Sequence, residues 1–340
     1  MKKKLLVLLG IMALIIVISS TIIRISTKNV ATDVTQDEVK LQIVTTFYPV
    51  YMIGLNLMEG VESVDVKSLT DLNTGCLHDY QLTTEDMKII STADVMIING
   101  GGMEGFLEDI MANYPDLTII DASQGIEMLP SAEEHASDEA DSAKEPSEEG
   151  SEEEHDHGEW NAHVWLDPLL YIKQIENVTK NLSDYIKNSE MVDLSVVERL
   201  DSNAESYTEK VRTLDQQIIE LSNELNSENT LMKRDAVIFH DAFAYLANRV
   251  GITVAHTIPL DSDTVLVSAE IGEIIDEVNL GSIQYLFTEE QYSDHIASQI
   301  AAETGASVYI IDSAVTGDGS KNSYLEAMKE NVETLKRLVK

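Results

Sequence analysis

The chain has 340 residues, enough for about two domains, and carries 60 acidic against 23 basic side chains for a formal net charge of -37. A charge that negative repels nucleic acid and anionic lipid, which argues against nucleic-acid binding, and it attracts cations. The single cysteine, Cys76, leaves no internal disulfide and no C-x-x-C zinc pair.

At the N-terminus Met1-Lys2-Lys3-Lys4 precedes an uncharged apolar run from Leu5 to Ile23. As a helix rising about 1.5 Å per residue, that run reaches about 28 Å, close to the thickness of bilayer hydrocarbon. Lysines on the cytoplasmic side place the rest of the chain outside. No small-residue A-x-A site follows, so residues 1–23 read as a retained anchor in the cytoplasmic membrane, with a cleaved signal peptide as the alternative. Residues 24–40 are polar and aperiodic, a spacer.

From Leu41 onward apolar runs alternate with helical patterns. Strands are predicted at Leu41–Thr46, Val64–Leu69, Val95–Ile98 and Thr118–Asp121, with helical patterns such as Val50–Met58, Glu85–Ser91 and Gly105–Asn113 between them. Alternation of this kind predicts a parallel sheet with crossover helices. Asn99-Gly100-Gly101-Gly102 lacks the lysine and hydroxyl residue of a phosphate loop and reads as a tight strand-to-helix turn. Residues 131–159 hold thirteen acids and one lysine with almost no apolar side chains. Such a segment cannot bury enough surface to fold alone and is expected to be a surface loop within the first lobe, residues 41–193.

Next, Val197, Leu200, Ala204, Tyr207, Val211, Leu214, Ile218, Leu221 and Leu225 recur at spacings of three and four. The seam suits either a dimeric coiled coil or one long helix packed along its own chain. Flanking αβ segments favour the second, so residues 194–226 are read as a linking helix of a monomer. The alternation then resumes through residues 227–340. Strands are predicted at Ala236–Phe239, Thr253–Thr257, Ile283–Phe287 and Ser307–Ile311, and helices at Asp241–Val250, Ser268–Asn279, Asp294–Thr304 and Ser323–Val339. The fold class is α/β: two lobes with mainly parallel four-stranded sheets, joined by a long helix.

Four metal-binding residue types sit at predicted strand or loop ends: His78, His163, His240 and Asp312. Such ends can converge at a cleft between lobes, where open αβ sheets bind ligands. Three imidazoles and one carboxylate suit tetrahedral Zn2+, whereas Mn2+ favours more oxygen ligands. Taken singly, each histidine can equally be a buried structural residue or a surface one, and no compact H-E-x-x-H motif is present.

The chain resembles the metal-binding receptors of bacterial zinc and manganese ABC transporters, a family that includes lipoprotein adhesins. The resemblance runs from about Leu41 to the C-terminus. It rests on Thr46-Phe47-Tyr48-Pro49, Leu77-His78-Asp79-Tyr80, Ala93 to Gly100, Asn161 to Pro168, Phe239-His240-Asp241-Ala242-Phe243, Phe287-Thr288-Glu289 and Tyr309 to Ser313, all in the family's order. It implies two lobes bridged by a rigid helix, a metal cleft between them, and ligands at His78, His163, His240 and Asp312. It also implies a zinc ion as cargo and a membrane permease as partner. Zinc members carry histidine at the third ligand position, where manganese members tend to carry glutamate, so His240 points to zinc. An acidic, histidine-bearing insertion is also typical of zinc members, and here it contains His135, His155 and His157.

Two features depart from the family pattern. Leu77, preceded by Cys76, stands where proline is usual, and the lipid-bearing cysteine of Gram-positive members is missing near the N-terminus. Cys76 reads as a small buried thiol, with a ligand or redox role as the alternative. Glu289 reads as a hydrogen-bond acceptor for a ligating histidine or as a solvated acid. His256 and His295 have no supporting motif and read as structural or surface residues. Competing functions are a zinc hydrolase with an open coordination position, a manganese receptor, and a surface adhesin.

Overall fold

Two sheets with the same strand order organise the protein. In the computed structural model, residues 40–78, 80–131, 160–189, 191–227, 235–258, 268–281, 283–289 and 294–339 are described. The lysine-flanked apolar run, the spacer and the acidic segment with His135, His155 and His157 lie outside them. None of the helices among the described residues is long and apolar enough to cross a membrane.

The first sheet contains β1 (Leu41–Thr45), β2 (Val64–Ser68), β3 (Val95–Ile98) and β4 (Thr118–Asp121), all parallel, in the order β2-β1-β3-β4. Its crossovers carry α1 (Tyr48–Leu57), α2 (Thr84–Ile90) and α3 (Leu107–Asn113). Helix α1 begins with a proline in its first turn, where the missing N–H has no intrahelical partner to lose. Helix α2 begins at a capping box: Asp86 N donates to Thr83 Oγ1, and Thr83 N donates to the Asp86 carboxylate.

The second sheet repeats the plan with β5 (Asp235–Ile238), β6 (Thr253–Thr257), β7 (Tyr285–Thr288) and β8 (Ser307–Ile310), parallel in the order β6-β5-β7-β8. Strands buried on both faces read as continuous apolar runs, and alternate residues feed opposite cores. Ala236 and Ile238 join the main core, while Val237 and Phe239 join a smaller one with Leu286, Ile274 and Ile300. Four helices accompany this sheet: α6 (Phe243–Val250), α7 (Ser268–Gly281), α8 (Asp294–Thr304) and α9 (Ser323–Leu335).

Between the lobes run α4 (Pro168–Ser189) and α5 (Ser195–Ser227), packed against each other. With 33 residues, α5 is about 50 Å long. Its seam is consumed inside the chain: Leu200, Tyr207, Val211, Leu214, Ile218 and Leu221 are at most 1% exposed. No apolar stripe is left on those positions for a coiled-coil partner. Arg249 of α6 donates to Asp215 of α5 (Nε to Oδ1, 2.9 Å), tying the second lobe to the long helix at a carboxylate only 5% exposed. Helix α4 was not singled out above, although Tyr171, Ile175, Val178, Leu182 and Ile186 recur at helical spacing and are buried.

The lobes meet through a set of polar contacts and aromatic rings. Tyr48 donates to Ser323 Oγ (2.6 Å), Asn56 Nδ2 to Lys321 O (2.9 Å), and Trp165 Nε1 to Ser313 O (2.8 Å). Tyr324 donates to Trp165 O (2.7 Å) while its ring stacks on Tyr171 at 4.0 Å. Leu41–Lys340 accordingly form one compact unit.

Candidate metal centre

In a sheet of order 2-1-3-4, successive connections leave in opposite directions beyond the first and third strands, and the crevice at their carboxyl ends is the usual ligand position. In the second sheet that crevice lies beyond β5 and β7. Ile238 and Phe287 pair in register, and two residues past each stand His240 and Glu289. Glu289 Oε1 accepts from His240 Nδ1. The imidazole is thereby oriented with Nε2 facing inward.

His163 reaches the same point from the other side. It immediately precedes a short 3-10 turn, Val164–Leu166, that leads into α4. Its Nδ1 donates to Asn161 Oδ1 (2.9 Å), and Asn161 Nδ2 donates to Asp241 O (2.9 Å), next to His240. One asparagine thus orients one imidazole and fastens it to the loop that carries another. Trp165 backs His163, with ring centroids 5.2 Å apart. The His163 and His240 rings meet edge to face at 4.8 Å.

His78 lies on the loop after β2, and its Nε2 comes to 3.3 Å from His163 Nε2. Cys76, two residues earlier, places Sγ 3.5 Å from His163 Nε2 and 3.7 Å from His240 Nε2. The donor atoms of Cys76, His163 and His240 all lie within 4.8 Å of one another, the only such metal-capable group among the described residues; His78 adjoins it through His163. Asp312 follows β8 but is exposed and is not in that group. Its Oδ1 accepts from Ala314 N (2.7 Å) in a turn where Ala314 adopts a φ of +56°. His256 pairs with Glu277 at 3.2 Å on the surface.

Burial sets the protonation of this cluster. It holds the His163 pKa well below the usual value, helped by the neighbouring His240 and His78, so His163 is neutral with its lone pair available. Burial also opposes charge on His240, but Cys76 and Glu289 outweigh it and hold that pKa well above the usual value. Inward-facing nitrogen and sulfur donors fit a borderline divalent cation such as zinc better than a hard one. Asn161 escaped the sequence reading, although a lone polar side chain two residues before a histidine in an apolar stretch was a usable signal.

The matching crevice of the first sheet holds a buried acid, Glu104. There Glu104 accepts from Thr46 Oγ1 (2.7 Å), Asn99 N (2.7 Å) and Gly100 N (3.1 Å). Gly100, with φ +82°, makes the left-handed turn that brings its N–H to the carboxylate. Asn99 Nδ2 in turn donates to Ala162 O, just before His163 (2.9 Å).

Burial pushes the Glu104 pKa from 4.5 up to about 7, against those three donors. Between these values the folded protein keeps a proton that the unfolded chain has released. The Glu104 contribution is therefore full below the unfolded pKa and is lost as pH rises through the folded one. At about 1.36 kcal/mol per pH unit the loss is about 3 kcal/mol. Urea unfolding of wild type and Glu104→Gln at both pH values checks this. The stability difference is expected to shift by about that amount in favour of Gln as pH rises, and a pH-independent difference would mean a carboxylate ionised throughout.

Comparison with known proteins agrees with this architecture. The family model described as "Zinc-uptake complex component A periplasmic" matches residues 43–338. The chain belongs to this family. Among curated relatives, the iron-binding protein YfeA of Yersinia pestis is 27% identical over 299 residues, 87% of this chain and 85% of that protein. The zinc-binding lipoprotein AdcA of Streptococcus pneumoniae is 26% identical over 309 residues, 89% of this chain but 56% of that protein, so the chain spans about half the length of AdcA. The solute-binding protein FpvC of Pseudomonas aeruginosa, in a structure with Ni2+, superposes with a TM-score of 0.70 at 22% identity, covering 88% of this chain and 97% of that one. That likeness concerns the fold: two parallel four-stranded sheets joined by a long helix. Family membership and these relatives speak for a binding component rather than an enzyme.

Proposed function

We propose that the chain captures zinc outside the cytoplasm and hands it to the membrane permease of an ABC transporter. The observation that carries this reading is the meeting of His163 and His240 between the lobes, oriented by Asn161 and Glu289, with His78 beside His163. A zinc ion would enter as cargo, exchanging its water shell for these side chains. His240, rather than a carboxylate, at the second sheet's crevice supports zinc over manganese. The apolar run from Leu5 to Ile23, with three lysines before it, supports attachment to the outer face of the cytoplasmic membrane.

Polar contacts across the interface and the long helix leave little room for wide closure, so release depends on local shifts of the loops carrying His78 and Asp312. A deletion strain grown with a zinc chelator tests the whole reading. Growth is expected to recover with the wild-type gene or with added zinc, but not with a gene encoding the His163→Ala, His240→Ala double variant. Equal recovery by the variant would refute it.

A further inference from the structure

The three imidazoles do not complete the cluster by themselves. Cys76 is the chain's single thiol, and it stands among inward-facing nitrogens rather than among apolar neighbours alone. Two nitrogens beside its sulfur are Nε2 of His163 and Nε2 of His240. In both rings the opposite nitrogen, Nδ1, is engaged by Asn161 or Glu289. The sulfur therefore lies where two oriented Nε2 atoms point.

The separations have a metrical meaning. Around a tetrahedral zinc with Zn–N about 2.05 Å and Zn–S about 2.3 Å, two nitrogens stand about 3.3 Å apart, and a sulfur and a nitrogen about 3.6 Å apart. The protein has 3.3 Å between the His78 and His163 nitrogens, and 3.5 and 3.7 Å from the Cys76 sulfur to His163 and His240. These three contacts match three of the six edges of such a polyhedron; His78 joins through His163 and lies outside the group whose donor atoms are all within 4.8 Å of one another. Asp312, the carboxylate expected to complete the site, is exposed and accepts a hydrogen bond from Ala314 N. Gly75, with φ +85°, provides the left-handed turn immediately before Cys76.

We propose that Cys76 is a direct metal ligand, completing a three-nitrogen, one-sulfur site with His78, His163 and His240; this rests on reading the cleft as a metal-capture site. On binding, the S–H bond gives way to a metal–sulfur bond and the proton leaves to solvent. A thiolate among imidazoles favours zinc and softer ions and disfavours manganese, which prefers oxygen. Cargo selection is thus set by a residue absent from the three-histidine, one-aspartate pattern.

Cobalt(II) reports this ligand directly. The purified, reduced full-length chain is titrated with cobalt(II), followed by absorption spectroscopy, and then with zinc. The expected wild-type result is visible bands of a tetrahedral ion together with a near-ultraviolet thiolate-to-cobalt charge-transfer band, both rising to one equivalent and both erased by zinc. Cys76→Ser is expected to keep the visible bands, lose the near-ultraviolet band, and bind zinc at least about tenfold more weakly. Visible bands without the near-ultraviolet band in the wild type overturn the thiolate ligand while leaving the cleft reading intact. A wild type that binds neither metal overturns both. The wild-type spectrum decides alone if the serine variant is poorly folded.

Discussion

Replacing His163 or His240 with alanine is expected to lower zinc affinity by more than about 100-fold, because loss of a residue that merely orients a ligand already costs 10- to 100-fold. His163 carries the stronger expectation. Burial keeps it neutral, so its lone pair is available without displacing a proton, and Nδ1 is committed to Asn161. His240 is held at the same point by Glu289. Competition titration against a chelating dye would measure the effect, with circular dichroism confirming the fold. His256→Ala, on the surface beside Glu277, serves as the control and is expected to change nothing. Wild-type affinity in both cluster variants would remove the metal centre from this location.

The second large effect is on stability. Trp165 is fully buried, meets Phe47 edge to face at 5.3 Å, and donates its indole N–H to Ser313 O in the second lobe. Alanine there leaves a cavity and an unpaired carbonyl where the lobes meet. Large-to-small changes of this kind cost about 3–5 kcal/mol. For a chain of this size that is a fall of about 5–8 °C in Tm. Trp165→Phe keeps most of the ring and loses only the donor, so it is expected to recover the larger part. A melting temperature for Trp165→Ala within about 2 °C of wild type would contradict the assigned role. Because the same ring backs His163, the alanine variant is also expected to bind zinc more weakly.

Much of the fold was legible in the sequence because burial imposes a period. Eight apolar runs became eight strands, and the seam from Val197 to Leu225 became the buried face of one long helix. His240 was placed at the end of its strand for the same reason. Helix α4 carries the same period in Tyr171, Ile175, Val178, Leu182 and Ile186, and its opening Pro168 is itself a helix-start signal that the sequence reading did not use.

Periodicity reports which way an element faces; it is silent on where loops from different elements arrive. That Cys76 stands within 3.7 Å of two imidazoles, that Asn161 and Glu289 orient His163 and His240, and that Asp312 accepts from Ala314 N in a turn were decided by tertiary structure. The physical reason is range. Burial patterns are fixed by neighbours three or four residues away, whereas a coordination site depends on ångström-scale placement of side chains some 80 to 160 residues apart.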